Sequence, residues 1–221
     1  MTRRIAALFT VILSLPLLAA TEVDLSTPQA AAKSLYNAVQ AQDGPAIKEI
    51  LYGSTDVEKD LCASFADLLV AGKRLESAVK SRYGAGAGSI SPGVMGKDEL
   101  TKIEQGKTEL DGDSAQLIPA GRARPLKFKR VNGQWKLIVA DYAGGTAANL
   151  PRQLETIRSM DRVIDAAATD VADGKYQSAA EAEAAIQQKL YDVIITAVQK
   201  NPPASAPSTS APSASGPSTR P

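Results

Sequence analysis

"KFKRVNGQWKLIVADY", residues 127–142, alternates apolar and polar side chains on both sides of Asn132-Gly133. Asn-Gly is the strongest short hairpin signal, because a two-residue type I′ turn needs positive φ at both central positions. The turn sets a register. Val131 faces Gln134, Arg130 faces Trp135, Lys129 faces Lys136, Phe128 faces Leu137 and Leu126 faces Val139. One face therefore carries Leu126, Phe128, Trp135, Leu137 and Val139 and has to be buried. Arg130 is placed to lie on the Trp135 ring. The other face carries Lys127, Lys129 and Lys136, with Ile138 and Ala140 further along. Lys129 opposite Lys136 is a like-charge pair, which destabilises slightly. The ordinary explanation is a solvated face whose lysines guard against edge-to-edge pairing. The sharper one is a cationic spot for an acidic ligand or partner.

Upstream of the hairpin the period is helical. Thr27 reads as an N-cap and Pro28 as the first helical residue, followed by the stripe Ala31, Ala32, Leu35, Val39. Asp43-Gly44 is the expected stop, and Pro45 opens a short second helix through Ile47, Ile50 and Leu51. Thr55 and Glu58 form a capping box for a third helix over 56–82, with Leu61, Phe65, Leu68, Leu69, Leu75 and Val79 on its apolar face. "YGAGAGSISPG", 83–93, reads as a connector. It follows a helix and lacks the Lys-Ser/Thr of a phosphate loop. Residues 100–121 read as a strand pair turning at Asp111-Gly112. A calcium loop starting at Asp111 would need Gly at its sixth place and Glu at its twelfth; those places hold Gln116 and Arg122.

The two ends differ from the middle. Residues 1–20 read as a signal peptide: Arg3 and Arg4, then an apolar run from Ile5 to Leu18, then Ala19-Ala20. The run is shorter than a membrane span requires. Export to the periplasm or the exterior is the expectation. Residues 201–221 are nearly all Pro, Ser, Ala and Thr and have no large apolar side chains to offset ordering entropy, so a disordered tail is expected. Without Arg3 and Arg4 the basic count falls from 25 to 23 against 24 acidic residues, so bulk charge recruits neither nucleic acid nor an anionic membrane. Cys62 is the single cysteine and cannot form an internal disulfide; beside Leu61 and Phe65 it reads as a small buried hydrophobe. There is no histidine, which removes Ser-His-Asp and Cys-His catalysis and His-ligated metals. Proton transfer would fall to Asp, Glu, Lys or Tyr. No catalytic, cofactor-binding or metal residue is assigned from the sequence, and no cofactor is expected.

Three stretches together resemble the NTF2-like superfamily, the cone fold shared with SnoaL-like and ketosteroid isomerase-like proteins. They are "STPQAAAKSLYNAVQAQDGPAIKEIL" (26–51), "ELDGDSAQLIP" (109–119) and "FKRVNGQWKLIVADY" (128–142). The resemblance covers about residues 26–142. It implies an α+β fold in which N-terminal helices pack on a curved antiparallel sheet and enclose a conical pocket able to hold a small molecule. Ketosteroid isomerase pairs an Asp base with a Tyr and a protonated Asp in such a pocket. Tyr36, Tyr52 and Asp98 are of these types here, but nothing in the sequence brings them together.

The domain plan is then 1–20 signal peptide, 21–143 NTF2-like domain, 144–150 hinge, 151–200 helical hairpin and 201–221 tail. In the hairpin, Leu154, Ile157, Ile164, Ala168 and Val171 form one stripe. After a turn at 173–175, Ser178 and Glu181 cap a helix carrying Ala182, Ile186, Leu190, Val193, Ile194 and Ala197. Helices 151–199 are candidates for self-association or for a partner. The expected function is an exported, non-enzymatic binding or accessory domain. The alternative is a cofactor-independent isomerase, dehydratase or hydrolase using an Asp or Glu and a Tyr inside the cone.

Overall fold

The hydrophobic period changes between helical and alternating along the chain, and a computed structural model divides into elements at nearly the same places; it describes residues 21–84, 96–142 and 147–200. The leader, most of the 83–93 connector, residues 144–146 of the hinge and the tail lie outside the described residues. In chain order the elements are α1 (Pro28–Ala41), α2 (Gly44–Ile50), β1 (Leu51–Tyr52), α3 (Asp56–Tyr83), α4 (Lys97–Glu104), β2 (Lys107–Asp111), β3 (Ser114–Ile118), β4 (Leu126–Val131), β5 (Gln134–Ile138), α5 (Val139–Tyr142), a 3-10 turn (Ala147–Asn149), α6 (Leu150–Ala172) and α7 (Ala179–Lys200). The fold is α+β.

The five strands form one open sheet in the order β1-β5-β4-β3-β2. The Asn132-Gly133 hairpin has the register read from its turn, with Phe128 on Leu137, Lys129 on Lys136, Arg130 on Trp135 and Val131 on Gln134. Asn132 and Gly133 take φ of 51° and 81°, as a type I′ turn requires. The sheet is mixed rather than wholly antiparallel, because β1 pairs with β5 in parallel. Leu51-Tyr52 leads into α3, and the chain returns beside it only at β5, a long crossover of the kind a parallel pair needs.

The caps explain where the helices start. The Thr27 hydroxyl accepts from the Ala30 amide, and Thr55 and Glu58 close a capping box on α3. At α7 the Ser178 hydroxyl accepts from the Glu181 amide, while the Glu181 carboxylate reaches the Gln177 amide, one residue earlier than a standard box. Several boundaries differ from those read in the sequence. Helix α1 ends on Gln42 in the left-handed region (φ 57°), which frees Asp43 to cap α2 through Ala46. Residues 100–104 are helical rather than strand, because α4 places Leu100 and Ile103 against the core and pairs Glu99 with Lys102 one turn on. The second hairpin turns on Gly112-Asp113, not Asp111-Gly112; of that pair only Gly112 has positive φ, the type II′ pattern. Val139 leaves the strand and begins α5, so it does not pair with Leu126, though it is fully buried.

The alternation of the strands gives the sheet one buried face. Leu117, Phe128, Trp135 and Leu137 pack there against Leu35, Val39, Ile47, Ile50, Leu61 and Leu69 of α1, α2 and α3. Arg130 lies 5.8 Å from the Trp135 ring centroid. The N-terminal segment also closes on this hairpin, with the Trp135 amide donating to the Leu25 carbonyl.

Helix α6 was expected to pair with α7 as a hairpin beyond a hinge. Its most extensive packing is instead along α3. The two run parallel: Arg158 meets Asp60 and Ser64, Arg74 meets Asp165, and the Tyr83 hydroxyl donates to the Tyr176 carbonyl. Ala71, Leu75 and Val79 of α3, Ile164, Ala167, Ala168 and Val171 of α6, and Ala182, Ile186 and Leu190 of α7 form a second buried cluster. At the α3–α6 contact the small side chains of Ala71, Ala167 and Ala168 allow close approach of the helices. Among the described residues no helix is long and apolar enough to cross a membrane.

Candidate functional site

The interior between helices and sheet is where a pocket of the cone type would lie, and apolar side chains fill it. Leu35, Val39, Ile47, Ile50, Leu61, Ile103, Leu117 and Phe128 are each at most 2% exposed. Among the described residues three polar side chains are buried, Ser34, Ser64 and Glu99, and each has structural partners. The Ser34 hydroxyl donates to the Asp24 carbonyl and accepts from its amide. The Ser64 hydroxyl accepts from the Arg158 guanidinium. Glu99 is paired with Lys102 at 3.0 Å and Arg122 at 2.6 Å, which ties α4 to the β3–β4 connection. Each of the three is engaged by a structural partner, and none is assigned as a general acid or base; the buried Oε1 of Gln153 in α6 is the one buried side-chain polar atom without a hydrogen-bond partner among the described residues.

Among the described residues, Tyr36, Tyr52 and Asp98 make no hydrogen bond with one another. Tyr36 is buried in α1, Tyr52 is half-buried in β1 and Asp98 is exposed in the first turn of α4. β1 and β2 are opposite edges of the sheet, and α4 leads into β2. Four strand spacings, about 19 Å, separate the two edges. Cys62 is buried in α3 and free, as its neighbours implied. Burial first, then the charge of Glu58, pushes its thiol up to about 11. The thiolate is the reactive form. Native protein at pH 8 is therefore expected to resist iodoacetamide, roughly a hundred-fold or more slower than the urea-unfolded chain, with alkylation followed by mass.

The surface clefts lined by described residues include three. One of about 230 Å³ runs between α6 and α7, lined by Arg152, Thr156, Ser159, Asp192 and Thr196. A second, about 590 Å³, lies between the N-terminal segment and α1, where Lys33 is paired with Glu104 at 2.9 Å. A third, about 360 Å³, holds Asp67, Asp161 and Asp165 beside Lys48 and Arg74. Lys48 holds Asp67 at 2.9 Å and Arg74 holds Asp165. Among the described residues no three His, Cys, Asp or Glu side chains form a metal-holding group. Asp161 has its carboxyl raised above the usual range, by burial first, then by Asp67 and Asp165, against the opposing charges of Arg74 and Arg162. A raised carboxyl costs stability when ionised, and the cost vanishes as the pH falls through its folded value. Asp161→Asn is therefore expected to raise the melting temperature at pH 7, with the gain shrinking as the pH falls toward 3.8, in a calorimetric pH series.

The outer sheet face is a further charged surface among the described residues. It carries Lys127, Lys129 and Lys136 with Ser114, Gln116 and Ile138, and at its β2 edge Lys107, Glu109 and Asp111, and none of these is buried. Lys127 is held by Asp141 at 3.1 Å. Sequence reading found these lysines from the turn alone. It missed Glu99, whose Lys102 partner one turn on is visible in the sequence, whereas Arg122 depends on the return of the chain after β3. Comparison of the chain with protein-family models, curated proteins and solved structures finds no match.

Proposed function

We propose that the protein is an exported, non-enzymatic binding or accessory domain that works through its surface. The observation that carries this reading is the filled interior: large apolar side chains occupy the space between helices and sheet, and the three buried polar residues, Ser34, Ser64 and Glu99, are each engaged in structural bonds. Export rests on the Arg3-Arg4, apolar and Ala-Ala order of residues 1–20. An NTF2-like core is supported by the order helix, short helix, long helix and closing hairpin. Native mass spectrometry of the protein purified from its natural compartment tests the proposal. The expected result is a species without a small molecule. A stoichiometric small mass lost on denaturation would reverse it and restore the enzyme reading.

A further inference from the structure

The outer face of the sheet separates its cations unevenly. Of the twelve lysines whose side chains are described, ten have a carboxylate within 4 Å. The two without one, Lys129 and Lys136, are directly opposite each other on β4 and β5. Two ammonium groups on facing positions repel each other, and both residues are half-buried. Guarding an edge does not account for Lys129, contrary to the ordinary reading of the sequence. β4 is the central strand, and Lys129 has Ser114 of β3 on its other side.

We propose that this face is a docking surface for an acidic stretch of a partner protein. The proposal rests on reading the protein as a surface-acting binding domain and names the partner's chemistry. Two adjacent unpaired ammoniums match one or two carboxylates of a partner, which would relieve their repulsion. Ser114 and Gln116, both exposed, offer hydrogen bonds beside them, and half-buried Ile138 and Tyr52 continue the face toward β1 with apolar surface. A mixture of this kind suits a protein interface. Two free cations are few for nucleic acid, where affinity grows with the number of phosphates neutralised, and few for anionic lipid, where each lysine adds little.

The experiment uses a synthetic twelve-residue peptide alternating Glu and Val, and its Gln/Val counterpart, titrated into the isotopically labelled protein. The Glu peptide is expected to shift the amide signals of Ser114, Gln116, Lys129 and Lys136, while the Gln peptide leaves them unmoved. Lys129→Gln with Lys136→Gln is expected to weaken binding at least tenfold. Lys136→Glu replaces the repulsive pair with an attractive one, so it should raise the melting temperature and abolish binding together. Three results would overturn the proposal: no shifts on this face at millimolar peptide, equal binding by the double variant, or lysine-dependent binding of anionic vesicles or single-stranded DNA but not of the peptide. None of these bears on whether the interior holds a small molecule, so the two readings fail separately.

Discussion

Phe128→Ala is expected to lower stability by about 3–5 kcal/mol, the cost of deleting a large aromatic side chain from a packed core. Phe128 is 1% exposed in the central strand, with Ala115 and Leu137 as its cross-strand neighbours. Folded domains are stable by about 5–15 kcal/mol, so the variant should be near unfolding at physiological temperature. Leu110 is the matched control. It lies in the same cross-strand row, opposite Ala115, but at the β2 edge and 65% exposed. Leu110→Ala should stay within about 0.5 kcal/mol of the parent. Urea unfolding followed by the fluorescence of Trp135, the only tryptophan, reads both.

Ile164→Ala carries the second large effect, about 2–5 kcal/mol. Ile164 is 2% exposed in α6, in the cluster built with α3 and α7. The informative part is how the loss is distributed. α3 belongs to both buried clusters: Leu61, Cys62, Ala66 and Leu69 face the sheet side, and Ala71, Leu75 and Val79 face α6 and α7. α6 also enters the sheet-side cluster through Leu150 and Leu154. Damage at Ile164 should therefore reach Trp135. Far-ultraviolet circular dichroism and Trp135 fluorescence are expected to report one coincident transition, shifted together. An early helical transition that leaves the Trp135 signal in place would instead mean that α6 and α7 unfold as an appendage.

Local chemistry made much of this architecture legible. Asn132-Gly133 determined a register that the hairpin keeps, Thr27 and Thr55 marked helix starts, and the alternation around Trp135 named the buried face. Where the sequence misled, a long-range contact outweighed a local cue. Residues 100–104 contain a β-branched threonine and isoleucine, but packing of Leu100 and Ile103 and the Glu99–Lys102 pair make them helical. The parallel β1–β5 pair joins residues 86 positions apart, Leu51 with Leu137 and Tyr52 with Ile138, and no local pattern encodes it. The α6 stripe was visible, yet an apolar stripe does not name what it packs on; α3 proved to be its main neighbour. The same limit applies to the candidate surface. Opposition of Lys129 and Lys136 follows from the turn, but the absence of a carboxylate partner depends on where every acidic side chain comes to lie.

The account turns on whether the interior is full, and Ala115→Leu tests that most directly. Ala115 is 3% exposed on the inner face of β3, facing the core beside Phe128. If the space is packed, the added methylenes must force their neighbours apart, and urea unfolding should show a loss of about 1–3 kcal/mol. An unchanged or increased stability would mean that the helices and sheet enclose room for a ligand, and would contradict the reading of a domain that acts through its surface.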